Sequence, residues 1–240
     1  MGTIKIFDTL SKTEKNLETN ETAKIYVCGV TVYDDAHIGH ARTIIIFDTL
    51  RKFLEANSIL VEFIQNFTDV DDKIIKKAND AKSYCEDISK KYIKNYFDDF
   101  DKLNIRRATE HPKATEHISD MLNLISTLIE KNMSYVSKNG VYFRVSKFTE
   151  YGKLSKKRVE ELESGARIEI DESKENPLDF ALWKFSDSDP SWESPWGNGR
   201  PGWHIECSAM SIKYLGENFE IHGGGPVSYT HLTLPTKRIV

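Results

Sequence analysis

The sequence predicts an α/β fold built on a doubly wound parallel sheet, and three observations carry that expectation. Ile25-Tyr26-Val27-Cys28-Gly29-Val30 is a short β-branched run that reads as a buried strand. From about Ala36 the pattern turns helical, with Ile46, Leu50, Phe53 and Leu54 expected on one buried face, and it stops near Asn57. Leu60 to Phe67 alternates enough to form a second strand. Strand, helix and strand within about 45 residues make the βαβ unit of such a sheet, whose ligands sit at the carboxyl ends of the strands. The functional corner is therefore expected around residues 28–40 and 66–72.

The remaining elements follow in order. Asp34 and Asp35 read as helix-start residues. Ile88, Tyr92, Ile93, Tyr96, Phe97 and Phe100 form one helical stripe, and Ile118, Met121, Leu122, Ile125, Leu128 and Ile129 form another. Both stripes are read as core packing without chemistry. Asn139-Gly140, between Tyr135-Val136 and Val141-Tyr142-Phe143, predicts a hairpin that interrupts the parallel sheet. Residues 144–200 are charge-rich and then rich in Ser, Asp, Pro, Trp and Gly, which suggests an irregular inserted module.

Composition sets limits on function. The chain has 240 residues, enough for one large domain or two small ones at roughly 150 residues each. With 33 Lys+Arg against 37 Asp+Glu the net charge is −4, so nucleic acid cannot be gripped by bulk positive charge and would need a local patch. Arg106, Arg107, Lys156, Lys157 and Arg158 are read as solvated charges rather than RNA contacts. No apolar run approaches the roughly 18 to 20 residues of a membrane helix, and Met1 to Lys5 has no apolar signal core, so a cytoplasmic protein with no membrane partner is expected. Three scattered cysteines, Cys28, Cys85 and Cys207, argue for thiols that are buried, reactive or metal-bound rather than a disulfide framework.

His37-Ile38-Gly39-His40 lies where the first strand passes into the first helix. Two histidines three apart share one face of a helical turn, free backbone N–H groups there favour anions, and Gly39 removes a side chain that would block a flat ligand. Taken alone, such a pair is more often a couple of surface histidines beside a cap. Its place between strand and helix favours a nucleotide site. Asp69, Asp71 and Asp72 could pass for a metal cluster, but Lys73, Lys76 and Lys77 follow at once, so helix capping is preferred.

His37-Ile38-Gly39-His40 after a strand resembles the signature of class I aminoacyl-tRNA synthetases. Cys28-Gly29-Val30-Thr31-Val32-Tyr33-Asp34, Phe67-Thr68-Asp69-Val70-Asp71-Asp72-Lys73-Ile74, Asp179-Phe180-Ala181-Leu182-Trp183-Lys184, Gly199-Arg200-Pro201-Gly202-Trp203-His204-Ile205-Glu206-Cys207-Ser208 and Ile221-His222-Gly223-Gly224-Gly225 narrow the resemblance to the cysteinyl-tRNA synthetase family over residues 1–225. The resemblance implies a Rossmann-like catalytic core with an inserted α+β connective module. Residues 1–110 would be the first half of the core, 111–200 the module, and 201–225 the start of the second half. It implies catalytic roles for His37 and His40, ATP contacts from His37, Gly39, His40, His222 and Gly224, and a cysteine pocket of Gly29, Thr31, Thr68 and Trp203. It also implies a Zn²⁺ held by Cys28 and Cys207 with a further His and Glu, and Mg²⁺ arriving with ATP. Such a metal would prefer the sulfur of a cysteine substrate to a serine hydroxyl.

The likeness stops in residues 226–240, read as a non-native tail. The family spacing puts the missing metal ligands at Leu232 and Thr236; His231 is one residue away, but no acidic residue follows. The rest of the core, its lysine-bearing phosphate loop and the anticodon domain are not in these 240 residues. What the resemblance implies is therefore activation of cysteine with ATP and its transfer to tRNA(Cys), by a monomer whose truncated form is expected to be inactive and prone to aggregate. A related ligase joining cysteine to an amino sugar, or a non-catalytic fragment, are the alternatives.

Overall fold

The computed structural model describes residues 3–19, 21–155, 172–202 and 204–224. In chain order its elements are β1 (Lys5–Asp8), β2 (Thr13–Asn16), β3 (Thr22–Thr31), α1 (Ile38–Ala56), β4 (Leu60–Thr68), α2 (Asp72–Ala81), α3 (Cys85–Lys102), α4 (Ile118–Glu130), β5 (Ser134–Ser137), β6 (Gly140–Phe143), β7 (Phe180–Phe185), β8 (Gly199–Pro201), α5 (Ile205–Leu215) and β9 (Ile221–Gly223). The chain divides into two compact units, one holding everything up to Glu116 and again from Met210, the other running from His117 to Ala209.

The first unit carries a three-stranded sheet in the order β4-β3-β9, and β3 pairs in parallel with both neighbours. Its core joins Ala23, Ile25 and Val27 of β3 to Phe63 and Phe67 of β4, Ile44 and Leu54 of α1, Ile74 and Ala78 of α2, and Ile88, Tyr92, Tyr96 and Phe100 of α3. The aromatic stripe of α3 thus does pack inward, each large side chain contributing on the order of 2 kcal/mol.

Helix α1 corrects the expected face. Ile46 and Phe53 are 56% and 50% exposed, and the buried residues are Ala41, Ile44, Asp48 and Leu54. The reason is a set of polar partners on the inward side. Asp48 accepts from the Arg106 backbone N–H at 3.3 Å and from Lys52 at 2.6 Å. Arg51 donates to the Arg107 carbonyl at 2.7 Å, and Glu55 pairs with Arg106 at 2.7 Å. Arg106 and Arg107 are therefore not simply solvated: Arg107 lies 4.2 Å over the Phe97 ring and pairs with Asp101 at 2.6 Å.

Residues 109–115 run along the outer edge of β4. The Gln65 and Phe67 N–H groups donate to the carbonyls of Glu110 and Pro112 at 3.1 and 2.9 Å, and Thr109 N–H donates to the Phe63 carbonyl at 2.7 Å. His111 sits on this seam. Its Nε2 accepts from Ala108 N–H at 3.1 Å while its Nδ1 faces the Gln65 carbonyl at 3.0 Å. Burial pushes its pKa down to about 4.

The second unit holds an antiparallel sheet in the order β5-β6-β7-β8, with α4 burying Met121, Ile125 and Leu128 as its stripe predicts. The predicted hairpin is present, but shifted by one residue: Ser137 pairs with Gly140, so Lys138-Asn139 make the turn. Gly140 belongs to the strand because a Cβ there would lie 2.2 Å from the Trp183 carbonyl oxygen. Asp179 is buried and accepts from Tyr135 O–H at 2.8 Å, Val145 N–H at 2.9 Å and Asn176 N–H at 3.2 Å. Lys156, Lys157, Arg158, Trp203 and everything from Gly225 onward, including His231, Leu232 and Thr236, lie outside the described residues.

Candidate functional site

Strand β3 is regular up to Val27, paired with Gln65, and resumes at Val30, paired with Phe67. Cys28 and Gly29 therefore stand opposite the single residue Asn66, which makes a β-bulge. Gly29 N–H donates to Asn66 Oδ1 at 2.8 Å. A Cβ on Gly29 would lie 1.5 Å from the Asn66 carbonyl oxygen, so only glycine fits. Past the bulge Thr31 pairs with Thr68, and Val32 N–H donates to the Thr68 carbonyl at 3.1 Å. Gly29, Thr31 and buried Thr68 are thus neighbours at the carboxyl ends of two adjacent strands.

The start of α1 is closed by its own histidines. His37, not Asp34 or Asp35, is the N-cap: its Nδ1 accepts from Gly39 N–H at 3.1 Å, and His40 Nδ1 accepts from His37 N–H at 3.2 Å. The two rings stack with centroids 3.8 Å apart and planes 17° apart. Asp34 instead pairs with Lys77 at 3.0 Å, and Asp35 accepts from Asn95 at 2.7 Å. A Cβ on Gly39 would come within 2.9 Å of the His37 ring, so this glycine serves the cap itself.

This geometry fixes the proton positions. A backbone N–H can only donate, so both Nδ1 atoms are bare and each neutral ring carries its proton on Nε2. Of the backbone donors at this helix start, the rings take up those of His37 and Gly39, and the Nε2–H groups stand as donors in their place. Burial and the neighbouring His37 ring hold the His40 pKa below its usual value, since two stacked cations would repel. The pair can therefore offer two neutral N–H donors to an anionic oxygen.

The three acids after Thr68 have separate tasks. Asp71 caps α2, accepting from Lys73 N–H at 2.8 Å, and Asp72 lies in that helix's first turn. Asp69 does not cap. It is buried and accepts from Thr115 N–H at 2.9 Å and Thr115 O–H at 2.6 Å. No sequence pattern links these positions, 46 residues apart.

His222 pairs along the backbone with Tyr26. Its ring lies between Tyr26 and Phe219, at centroid distances of 5.2 and 5.7 Å, and among the described residues neither ring nitrogen finds a hydrogen-bond partner. Burial pushes its pKa down to about 4. Gly223 faces α1: a Cβ there would lie 2.2 Å from the Phe47 ring. Gly224 follows directly as the last described residue. Cys28 is half-buried in the bulge, and Cys207 is fully buried in α5. Among the described residues no three His, Cys, Asp or Glu side chains come together to hold a metal ion, so these residues do not by themselves fit the implied zinc. No described helix is long and apolar enough to cross a membrane.

Known proteins are similar to this chain. Cysteine–tRNA ligase of Carboxydothermus hydrogenoformans is 54% identical over 225 residues, 92% of this chain and 48% of the relative. The enzyme of the same name from Methanococcus maripaludis is 51% identical over 232 residues, 95% of this chain and 49% of the relative. The chain thus spans about half the length of the curated relatives it matches. Mycobacterium tuberculosis methionyl-tRNA synthetase, solved with methionyl-adenylate, has a similar fold, with a TM-score of 0.66 at 12% identity over 87% of this chain and 52% of that one. The family model of the class I (C) tRNA synthetase catalytic domain matches residues 14–235. A match of that extent, on a parallel sheet whose crossover helix opens with the paired histidines, shows that the chain belongs to the class I (C) tRNA synthetase catalytic-domain family.

Proposed function

We propose that this chain carries the adenylate-forming site of a cysteine–tRNA ligase. The observation that bears most weight is the reciprocal histidine cap, which leaves two Nε2–H donors at the carboxyl end of β3. In the first step a carboxylate oxygen of cysteine attacks the α-phosphorus of ATP, the bond to the bridging oxygen breaks, and pyrophosphate leaves with the electron pair. No protein nucleophile is needed. Negative charge on the α-phosphate oxygens grows towards the transition state, and His37 and His40, already oriented, donate to it without reorganisation. In the second step a terminal ribose hydroxyl of tRNA(Cys) attacks the activated carbonyl and AMP departs with the proton.

Gly29, Thr31 and Thr68 are proposed to line the cysteine pocket with Trp203, and His222 and Gly224 to meet ATP with Gly39. The nitrogens of His222 support this, because among the described residues they have no partner, and such a buried imidazole is a group that a ligand can satisfy. Mg²⁺ would accompany ATP as part of the substrate. Zinc enters no step of this proposal.

The test is cysteine-dependent exchange of pyrophosphate into ATP, measured in this chain extended to the length of its relatives. His40→Asn keeps an oxygen where Nδ1 accepts but removes the Nε2 donor, and it should lower exchange by about 100-fold with little loss of stability. Exchange within threefold of the parent in both His40→Asn and His37→Asn would overturn the assignment.

A further inference from the structure

Asp69 is a buried carboxylate that the proposed chemistry does not use, one residue beyond Thr68. Three hydrogen bonds converge on it from two other parts of the chain. Thr115 N–H and Thr115 O–H reach its two carboxylate oxygens at 2.9 and 2.6 Å. Ser89 O–H, on α3, is shared between the Asp69 backbone carbonyl at 3.1 Å and that of Cys85 at 2.9 Å. The Thr115 pair is the last rung of the seam that residues 109–115 make along β4, after those at Phe63, Gln65 and Phe67. On the opposite edge the Thr68 carbonyl holds Val32 N–H, the link from β4 to the segment that leads into the histidine cap.

Burial opposes the charged form of Asp69 and lifts its carboxyl above the usual range, with the Thr115 bonds pulling the other way. A buried carboxylate with a desolvation cost is a poor device for stability alone, since apolar packing of similar volume is often as good. A fixed location for the residue beside it is something apolar packing supplies less well.

We infer that Asp69 is a positioning residue: clamped by Thr115, it fixes the end of β4 so that Thr68 meets the cysteine portion of the substrate at one defined place. The inference rests on the reading above that Thr68 faces cysteine. Loss of the clamp lets Thr68 move and weakens recognition of the amino acid more than that of the nucleotide. Asp69→Asn retains an acceptor for Thr115 N–H and largely preserves the clamp, and Thr115→Val removes the hydroxyl donor alone.

The test uses this chain extended to the length of its relatives, with a non-hydrolysable cysteinyl-sulfamoyl adenosine and, separately, Mg-ATP, together with amide hydrogen exchange at Val32. Asp69→Ala should bind the cysteinyl compound at least tenfold more weakly with ATP affinity changed less than twofold, and Asp69→Asn should stay within threefold of the parent. Val32 should exchange at least tenfold faster in Asp69→Ala, with Ile25 and Val27 unaltered. Should Asp69→Ala fail to fold, Thr115→Val carries the same expectations at about threefold. Parental binding of the cysteinyl compound by both variants, or an equal loss of ATP, overturns the inference. A parent chain that binds neither compound sinks the pocket reading instead, and Val32 exchange then decides the clamp: unaltered rates overturn it and faster rates uphold it.

Discussion

In the antiparallel unit Asp179 has both carboxylate oxygens occupied by Tyr135, Val145 and Asn176, whereas at the strand ends of the parallel unit His37 and His40 each commit one ring nitrogen to structure and keep the other. The first arrangement spends both carboxylate oxygens on bonds within its own unit. The second is half-satisfied from within, which holds the rings in place while leaving one nitrogen of each uncommitted. Motifs of both kinds look alike in a sequence, and only the hydrogen-bond accounting separates a structural polar residue from one with spare capacity.

The largest expected effect strikes the parallel unit at its bulge. Gly29→Ala places a methyl group where the Asn66 carbonyl stands, and should destabilise this unit by about 4 kcal/mol or more in urea unfolding. A cost below about 1 kcal/mol would mean the bulge can shift at will.

Acid comes next. For His40, His111 and His222 the folded pKa lies below the unfolded value of about 6.5, so the unfolded chain binds more protons and stability must fall as pH falls. The loss begins near pH 6.5 and is complete near pH 4, at up to about 3 kcal/mol each for His111 and His222. Thermal unfolding followed between pH 7 and 4.5 reads this directly. A flat profile would show that these rings find partners in solution.

Asp179→Ala should cost about 3 kcal/mol by leaving three donors of the antiparallel unit unpaired, with amide protection in β3 and β4 unchanged. If protection in β3 falls as well, the two units do not respond separately. The smallest effect is expected for Phe53→Ser on the exposed side of α1, within about 0.5 kcal/mol. A loss of 2 kcal/mol or more in the melting experiment would mean that this face is covered.

The sequence revealed the βαβ unit and the α3 stripe because apolar residues there keep a single period. It placed Leu50 and Leu54 of α1 on the core side but set Ile46 and Phe53 with them, because the inner face also carries buried Asp48 and half-buried Arg51 and Glu55 beside the segment holding Arg106 and Arg107, and polar residues carry no hydrophobic signal. The hairpin was legible from Asn139-Gly140, yet the glycine answers to the Trp183 carbonyl and not to the turn. The hairpin of β1 and β2 left no trace because Thr13–Asn16 is exposed along its whole length. At the candidate site the histidines and Thr68 were readable from their place after strands, but the Asp69–Thr115 clamp was not, since it joins two distant positions by one hydrogen-bonded contact.

The bulge at Cys28-Gly29 has a consequence for how this corner tolerates change in length. Two residues of β3 face one of β4 there, so deleting either residue would leave a continuous ladder and a perfectly acceptable strand. Val30 would stay opposite Phe67 and Thr31 opposite Thr68, Val32 would keep its bond to the Thr68 carbonyl, and the turn into α1 would start from the same place. A single-residue deletion at position 28 or 29 thus removes the bulge while leaving the histidine pair in phase, as does a deletion in the Ser11–Lys12 turn between β1 and β2.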